Sequence, residues 1–217
     1  MTLSKAWDWN VVQNPIWRVP SEESHYYANR WKEAGYKTLL DLGCGLGRHT
    51  ILFAKQGFDV SAMDLSSEAV SSTIAWAQKE QLQVDAKVGD MLSLPYANES
   101  FDCLFSYHVI SHTDTPGAKK IIGEIHRVTK PGGEVFLTMC SKDTWSYKDA
   151  GFPVIDENSV LKTIGAEVNV PHFYVHLEDL FRLFDGFEII KVRHIDDCFM
   201  DGKAKSSRHY FLLARRL

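Results

Sequence analysis

Paired cysteines are missing from this chain. Cys44, Cys103, Cys140 and Cys198 stand singly, with no C-x-x-C spacing anywhere. That absence disfavours a zinc ribbon and a thioredoxin-like redox motif, and four scattered thiols fit a reducing compartment better than a disulfide scaffold. No apolar run approaches the ~18–20 residues a membrane span needs. The opening MTLSKAWDWNVVQNP is polar and charged where a signal peptide carries its apolar stretch. Basic charge is not in excess either. Lysine plus arginine is 24 against 28 acidic residues, a formal net charge of −4, which argues against a protein built to coat nucleic acid. Repeats and low-complexity tracts are also lacking. These absences lead to a cytoplasmic globular protein with neither nucleic acid nor membrane as an expected partner. Its 217 residues, 45% hydrophobic and 24% charged, suit one α/β domain.

What is present is alternation. Residues 1–36 concentrate Trp7, Trp9, Trp17 and Trp31 around Pro15 and Pro20, and predict one or two short helices, the main one from Ser21 to Ala34 and stopped by Gly35. From Thr38 onward TLLDLG reads as a strand buried on both faces, and residues 47–56 as a helix. FDVSAMD is a second strand, and Ser66 is the expected N-cap of a helix whose Ala69, Val70, Thr73, Ile74 and Ala77 share a face. QVDAKVGD and SFDCLFSYH supply two more strands. Pro116 opens a helix striped by Ile121, Ile122, Ile125 and Val128, and EVFLTM follows as a fifth strand. Strand and helix alternating at this spacing imply a mainly parallel sheet with helices on both faces. Residues 141–175 lack clean periodicity and read as an irregular insertion. HLEDLFRLFDG is then a helix, and FEIIKVRHI and HYFLLARRL are strands joined by the polar loop DGKAKSSR.

The segment that carries chemistry is LLDLGCGLGRHT. Gly43, Gly45 and Gly47 form GxGxG between a strand and a helix, where glycine permits a tight turn and close approach of a ligand to the backbone. Asp64 ends the next strand, 21 residues after Gly43, the spacing at which an acid can accept from a ribose diol. A nucleoside-bearing ligand at the carboxyl ends of the strands follows. A dinucleotide fingerprint would need glycine at position 48, where Arg48 stands. Asp41, two residues ahead of Gly43, suits a cationic ligand better than a pyrophosphate. S-adenosylmethionine, with an ammonium and a sulfonium, satisfies both conditions.

With those residues in view, the sequence resembles the class I S-adenosylmethionine-dependent methyltransferases, in the branch of ubiquinone-type and small-molecule enzymes. LDLGCGLGRHT is similar to the first motif of the family and VSAMDLS to its second. VGDMLSLPYANESFDCLFSYHVISHT resembles the stretch across the third and fourth strands, and EIHRVTKPGGEVFLTM the helix, turn and strand after it. The resemblance implies a Rossmann-like, doubly wound, seven-stranded and mostly parallel sheet with its last strand antiparallel, under a helical N-terminal cap. The resemblance covers about residues 38–140, and with the pattern of the rest it gives one domain: a cap or lid over 1–36, a cofactor-binding core over 37–140, an insertion shaping the acceptor pocket over 141–175, and a C-terminal helix and strand pair over 176–217. By the same resemblance Asp41, Gly43, Cys44 and Gly45 line the methionine end of S-adenosyl-L-methionine, and Asp64 holds the ribose. Leu65, Met91 and Leu92 pack at the adenine, whose amino group donates to Asp90. Ser106 and Tyr107 face the methionine moiety, and Arg18 meets its carboxylate.

The implied activity is methyl transfer to a small-molecule acceptor. For an acceptor that must lose a proton, His108 and His112 are the base candidates. A non-catalytic regulator that binds the cofactor, and an NAD(P)-linked oxidoreductase, are the rival classes. Other readings of single residues compete: Asp90 as a turn cap, Cys44 as a packing residue, the tryptophans as plain core cover. His108 and His112, like His172 and His176, are four residues apart, a spacing at which helical histidines share a metal. HVISH, however, lacks the glutamate of H-E-x-x-H and HFYVH contains no acid, so the expectation is pocket or surface histidines and no metal.

Overall fold

The computed structural model describes residues 5–7, 9, 14–200 and 203–217. In β1 (Thr38–Leu42), Leu39 packs into one apolar cluster while Leu40 and Leu42 pack into another, and all three are fully buried. The same alternation recurs in β4 (Phe101–Ser106), where Cys103 and Phe105 face one cluster and Leu104 the other, and in β5 (Thr129–Ser141), where Phe136 lies between Val135 and Leu137. Successive side chains point to opposite faces, so apolar residues at both parities demand cover on both sides. Each side chain so buried contributes about 1.5–3 kcal/mol.

β1 pairs in parallel with β2 (Asp59–Asp64) on one edge and β4 on the other; β2 pairs with β3 (Val84–Val88), and β4 with β5. The far edge of β5 pairs antiparallel with β10 (Lys203–Arg216), which pairs antiparallel with β9 (Phe187–Met200). The expected seven-stranded sheet, with its last strand antiparallel, is this path. The expectation for 141–175 needs correction. That segment holds a short helix and three strands, β6 (Val154–Asp156), β7 (Ser159–Leu161) and β8 (Pro171–Val175), bringing the sheet to ten strands. β4 pairs with β5 only as far as Leu137, and β8 takes over the same edge at Cys140 and Ser141. Short strands of three to five residues have too few alternations to read as a period. The polar stretch after β9 is likewise strand from Lys203 on; Asp201 and Gly202 lie outside the described residues.

Helices cover both faces. α1 (Glu22–Glu33) buries Ser24, Tyr27, Ala28 and Trp31, one helical stripe. Tyr27 stacks on Phe136 at 4.3 Å between ring centroids, and Trp31 lies 6.0 Å from Phe53 of α2 (Arg48–Lys55). Trp31 Nε1 and both Arg30 nitrogens donate to the buried Glu134 carboxylate at 2.8–3.0 Å, and Arg215 donates to it at 3.1 Å. The carboxylate is buried while Arg30 and Arg215 keep contact with solvent, and the shared bonds fix α1 against β5 and β10. α3 (Ser67–Lys79) starts as expected, with Ser66 Oγ accepting from Ala69 N at 3.2 Å. On the opposite face α4 (Thr115–Val128) buries Ile121, Ile122, Ile125 and Val128. After the short α5 (Trp145–Lys148), α6 (Leu177–Leu183) packs beside β8. Of the expected N-terminal cap, residues 1–4, 8 and 10–13 lie outside the described residues; a 3₁₀ turn at Pro15–Arg18, capped by Asn14, precedes α1. Among the described residues no helix is long and apolar enough to cross a membrane.

Candidate functional site

The chain runs outward from β1 to β3 and then returns to β4, so the loops after β1 and β4 diverge at the carboxyl edge. A crevice at such a switch point is where open α/β sheets bind ligands. A cavity lies there, lined by the loops after β1, β2 and β4.

Its floor is the glycine loop. The N–H groups of Gly43 and Cys44 both donate to Met63 O, at 2.7 and 3.0 Å, which ties the loop to the end of β2. Gly43 adopts φ +77°, and a Cβ there would come within 2.3–2.8 Å of the Val109 side chain. Gly45, at φ +52°, would put a Cβ 2.8 Å from the Trp9 ring. No larger residue fits either position without a shift. Gly45 N and Ser66 N donate to the two oxygens of Asp64, each at 2.9 Å, so the carboxylate is fixed at the rim with lone pairs to spare. Burial pushes its pKa up. Asp90 lines the same rim, one oxygen accepting from Leu92 N at 2.9 Å. Its loop is anchored by Glu124 and Arg127 of α4, which bond the backbone of Leu94 and Tyr96.

Asp41 is beneath the loop, 1% exposed, and accepts from Thr50 Oγ1 of α2 at 2.5 Å. Burial, opposed by the Thr50 bond, pushes its pKa up to about 7. Asp41 thus acts on the cavity through its charge and does not line it. Cys44 is buried against Thr73, and burial raises its thiol well above the ordinary value, as befits a packing residue.

The tryptophans form the cover. Trp7, Trp9 and Trp17 pack together with ring centroids 4.8–5.7 Å apart, and all three line the cavity. Arg48 lies over the Trp17 ring at 5.3 Å and over Tyr107 at 5.6 Å, while bonding the carbonyls of Ile16 and Val19. Trp9 Nε1 is buried and finds no hydrogen-bond partner among the described residues.

Histidines complete the lining. His108 takes φ +58°, a conformation rare outside glycine. Its N–H donates to Thr138 Oγ1 at 2.7 Å, and its ring lies 4.3 Å from that of His209. Burial, reinforced by His209, holds its pKa well below the usual imidazole range. His112, by contrast, keeps 19% of its side chain exposed, and its Nε2 is 3.4 Å from Glu167 Oε1. Glu167 closes a 3₁₀ turn at Gly165–Glu167, and His172 is in β8. His172 Nε2 reaches the same Glu167 oxygen at 3.2 Å, and Lys162 pairs with the other oxygen. The loop after β4 is pinned to this wall, since Phe173 N donates to Ser111 O at 2.8 Å and Ser111 Oγ accepts from Cys140 N at 2.9 Å.

Of the residues singled out from sequence, Gly43, Cys44, Gly45, Asp64, Leu65, Asp90, Met91, Tyr107, His108 and His112 all line this one cavity. Four others do not. Ser106 turns its hydroxyl to Leu42 O at 2.8 Å, and Leu92 packs against the core. Asp41 lies below the floor. Arg18 donates to Ser72 Oγ at 3.3 Å and lies 5.6 Å over Trp76 of α3, so the arginine that reaches the cavity is Arg48. The histidine pairing also differs from expectation. Neither pair is on one helix: His108 and His112 are in a loop, and His172 is in a strand while His176 begins α6. His112 meets His172 instead, at 4.8 Å between ring centroids. Among the described residues His112, Glu167 and His172 form a cluster whose donor atoms all lie within 4.8 Å. The acid missing from HFYVH is five residues upstream of His172, a spacing no local motif flags.

Residues 39–133 match the sequence profile of a methyltransferase domain. The chain is 34% identical over 149 residues to a norajmaline N-methyltransferase of Rauvolfia serpentina, covering 66% of this chain and 50% of that protein. It is 31% identical over 140 residues to a ubiquinone biosynthesis O-methyltransferase of Xanthomonas oryzae pv. oryzae, covering 64% and 57%. It thus spans about half the length of these curated relatives. Among solved structures, one described as a SAM-dependent methyltransferase from Methanosarcina mazei superposes with TM-score 0.70 at 24% identity, covering 83% of this chain and 92% of the other. The magnesium protoporphyrin IX methyltransferase of Synechocystis, solved with bound SAH, superposes with TM-score 0.65 at 18% identity over 90% and 82%. At these identities the likeness is one of fold.

Proposed function

The chain belongs to the class I S-adenosylmethionine-dependent methyltransferases, and from that premise we propose that it methylates a small-molecule acceptor held between the glycine loop and His112. The observation that carries this reading is the single cavity that Gly43, Gly45, Asp64 and Asp90 line together with His112.

The donor end fits S-adenosylmethionine by its chemistry. Gly43 and Gly45 leave backbone open where side chains would intrude, and Asp64 offers lone pairs to a ribose diol. Asp90 keeps an oxygen for the adenine amino group, with Leu65 and Met91 as apolar walls. Asp41 favours a cation above it. The orphaned Trp9 Nε1 is a buried donor that a ligand carboxylate would satisfy, since an unmet buried donor costs about 1–3 kcal/mol.

When bound, the donor supplies a sulfonium whose methyl carbon is open to in-line displacement. The protein's task is therefore orientation and exclusion of water. The glycine loop and Asp64 fix the donor, and the Trp7, Trp9 and Trp17 cover keeps the reacting end dry. His112 is the histidine placed to meet an acceptor: it is partly exposed in the cavity, whereas burial weakens His108 as a base. The names of the curated relatives, an N- and an O-methyltransferase of small molecules, support a nitrogen or oxygen acceptor.

The test is incubation of the full chain with S-adenosylmethionine and fractionated metabolite pools, read by mass spectrometry. A product heavier by one CH₂, formed together with S-adenosylhomocysteine, supports the reading. Tight S-adenosylhomocysteine binding by calorimetry without turnover on any pool would favour a binding-only regulator.

A further inference from the structure

The histidine end contains an arrangement that methyl transfer does not itself require. Two imidazole nitrogens, His112 Nε2 and His172 Nε2, converge on one carboxylate oxygen, Glu167 Oε1, at 3.4 and 3.2 Å. The other oxygen is taken by Lys162, so Glu167 presents Oε1 alone. His172 Nδ1 is 3.1 Å from Val170 O. A carbonyl only accepts, so the ring's proton is on Nδ1 and Nε2 carries a lone pair. That lone pair faces a carboxylate oxygen. Acceptor against acceptor is unfavourable unless a positive charge lies between them.

We propose that His112, Glu167 and His172 form a three-ligand site for a divalent first-row transition ion of the zinc type, at the acceptor end of the cavity. Two imidazoles with one carboxylate suit such an ion, whereas all-oxygen sets suit magnesium or calcium. With bonds of about 2.0–2.1 Å, neighbouring ligand atoms of a tetrahedral ion lie about 3.3 Å apart, the spacing both imidazoles already keep from Glu167. Donation of His172 Nδ1 to a backbone carbonyl is the support that ligating histidines ordinarily receive. Three protein ligands leave one position free. Of the three ligands His112 lines the cavity, and an acceptor hydroxyl, thiol or amine that reaches the ion past it would take that position. His112 is then a ligand and not a proton acceptor, because one nitrogen cannot serve both. Only the role of the free position rests on the methyl-transfer reading; ion binding stands on the three side chains.

The test uses the full chain after dialysis against a chelator, titrated with Co²⁺ and followed by visible absorption, then by Zn²⁺ competition. One Co²⁺ per chain, an absorption band of low-coordinate cobalt, and displacement by Zn²⁺ are expected. Glu167→Gln and His112→Phe should weaken binding about 100-fold or more, while a cooperative thermal transition shows that each variant is folded. On the unaltered chain, two-bond ¹H–¹⁵N spectra should show Zn²⁺ shifting Nε2 of both histidines while Nδ1 of His172 keeps its proton; this arm stands even if a variant fails to fold. No stoichiometric band, unchanged affinity in both variants, or unmoved Nε2 signals would overturn the site. Loss of S-adenosylhomocysteine binding by the unaltered chain would instead sink the donor reading and leave the ion site untouched.

Discussion

The glycine-loop end of the cavity presents main chain and carboxylates from residues 41–91, each held by the end of a parallel strand or the turn after it. His112 also lines the cavity, and behind it stand an ammonium, a carboxylate and an imidazole from residues 162, 167 and 172, brought together where β8 takes over the edge of β5 that β4 leaves. At the first end, geometry is set by the sheet, and altering a group means disturbing the strands that position it. At the second, the wall is an add-on, so its chemistry can change while the donor end stays fixed. One fold can thereby serve many acceptors.

The sharpest way to break this contrast is Gly43→Ala. A left-handed φ costs an alanine about 1–2 kcal/mol, and the new Cβ would strike Val109. S-adenosylhomocysteine affinity should fall by more than about 100-fold while thermal unfolding shows a folded chain. Near-normal calorimetric binding would mean that close backbone approach is not what this loop provides. Asp64→Asn comes next. Charged hydrogen bonds are worth about 1.5–3 kcal/mol each, so affinity should drop about 10- to 100-fold. Survival within a factor of two would remove Asp64 as the ribose acceptor.

A smaller effect is expected from pH. Asp41 in the folded chain loses its proton near pH 7, against about 4 for an ordinary carboxyl. Between those values the native state holds a proton that the unfolded chain has released, so this group's contribution to stability falls as pH rises and levels off above 7. Binding of a cationic ligand runs the other way, because it favours the ionised form. S-adenosylmethionine affinity should rise about tenfold from pH 6 to pH 8. Asp41→Asn should flatten that rise and also the loss of stability; a slope unchanged in the variant would assign it elsewhere. The smallest change is expected from Trp9→Phe, which keeps a ring over Gly45 and removes one donor worth about 1 kcal/mol net, hence roughly fivefold in affinity. S-adenosylhomocysteine should alter tryptophan fluorescence in the unaltered chain and much less in this variant.

The donor end was legible because its determinants are local. Glycines that allow a turn and an acid at the next strand end are sequence neighbours of the elements that place them, so Gly43, Gly45, Asp64 and Asp90, chosen from the sequence, line one cavity. The acceptor end was opaque for the opposite reason. His112 joins Glu167 and His172 across more than fifty residues, and that meeting depends on a strand too short to show a period. Asp41 illustrates a subtler limit. Its carboxylate was legible as an electrostatic preference, but whether it lines the cavity or lies under the floor depends on Thr50, a helix turn away in space. Arg18 and Arg48 are both near the cover, and only packing against Trp17 and Tyr107 selects Arg48.

The position of β10 has a consequence for the order in which the molecule can assemble. It follows every other strand in the chain, yet it is inserted between β5 and β9, and β9 pairs with no other strand among the described residues. Until β10 arrives, β9 has no ladder to join, and Glu134, which α1 grips from the other side, lacks Arg215. The closing contacts of β10 with β5 therefore join residues 69–81 positions apart, the kind of long-range pairing that slows folding. A chain emerging from the ribosome would carry its glycine-loop half early, with the far edge of β5 unpaired and exposed to other strands until β10 is free.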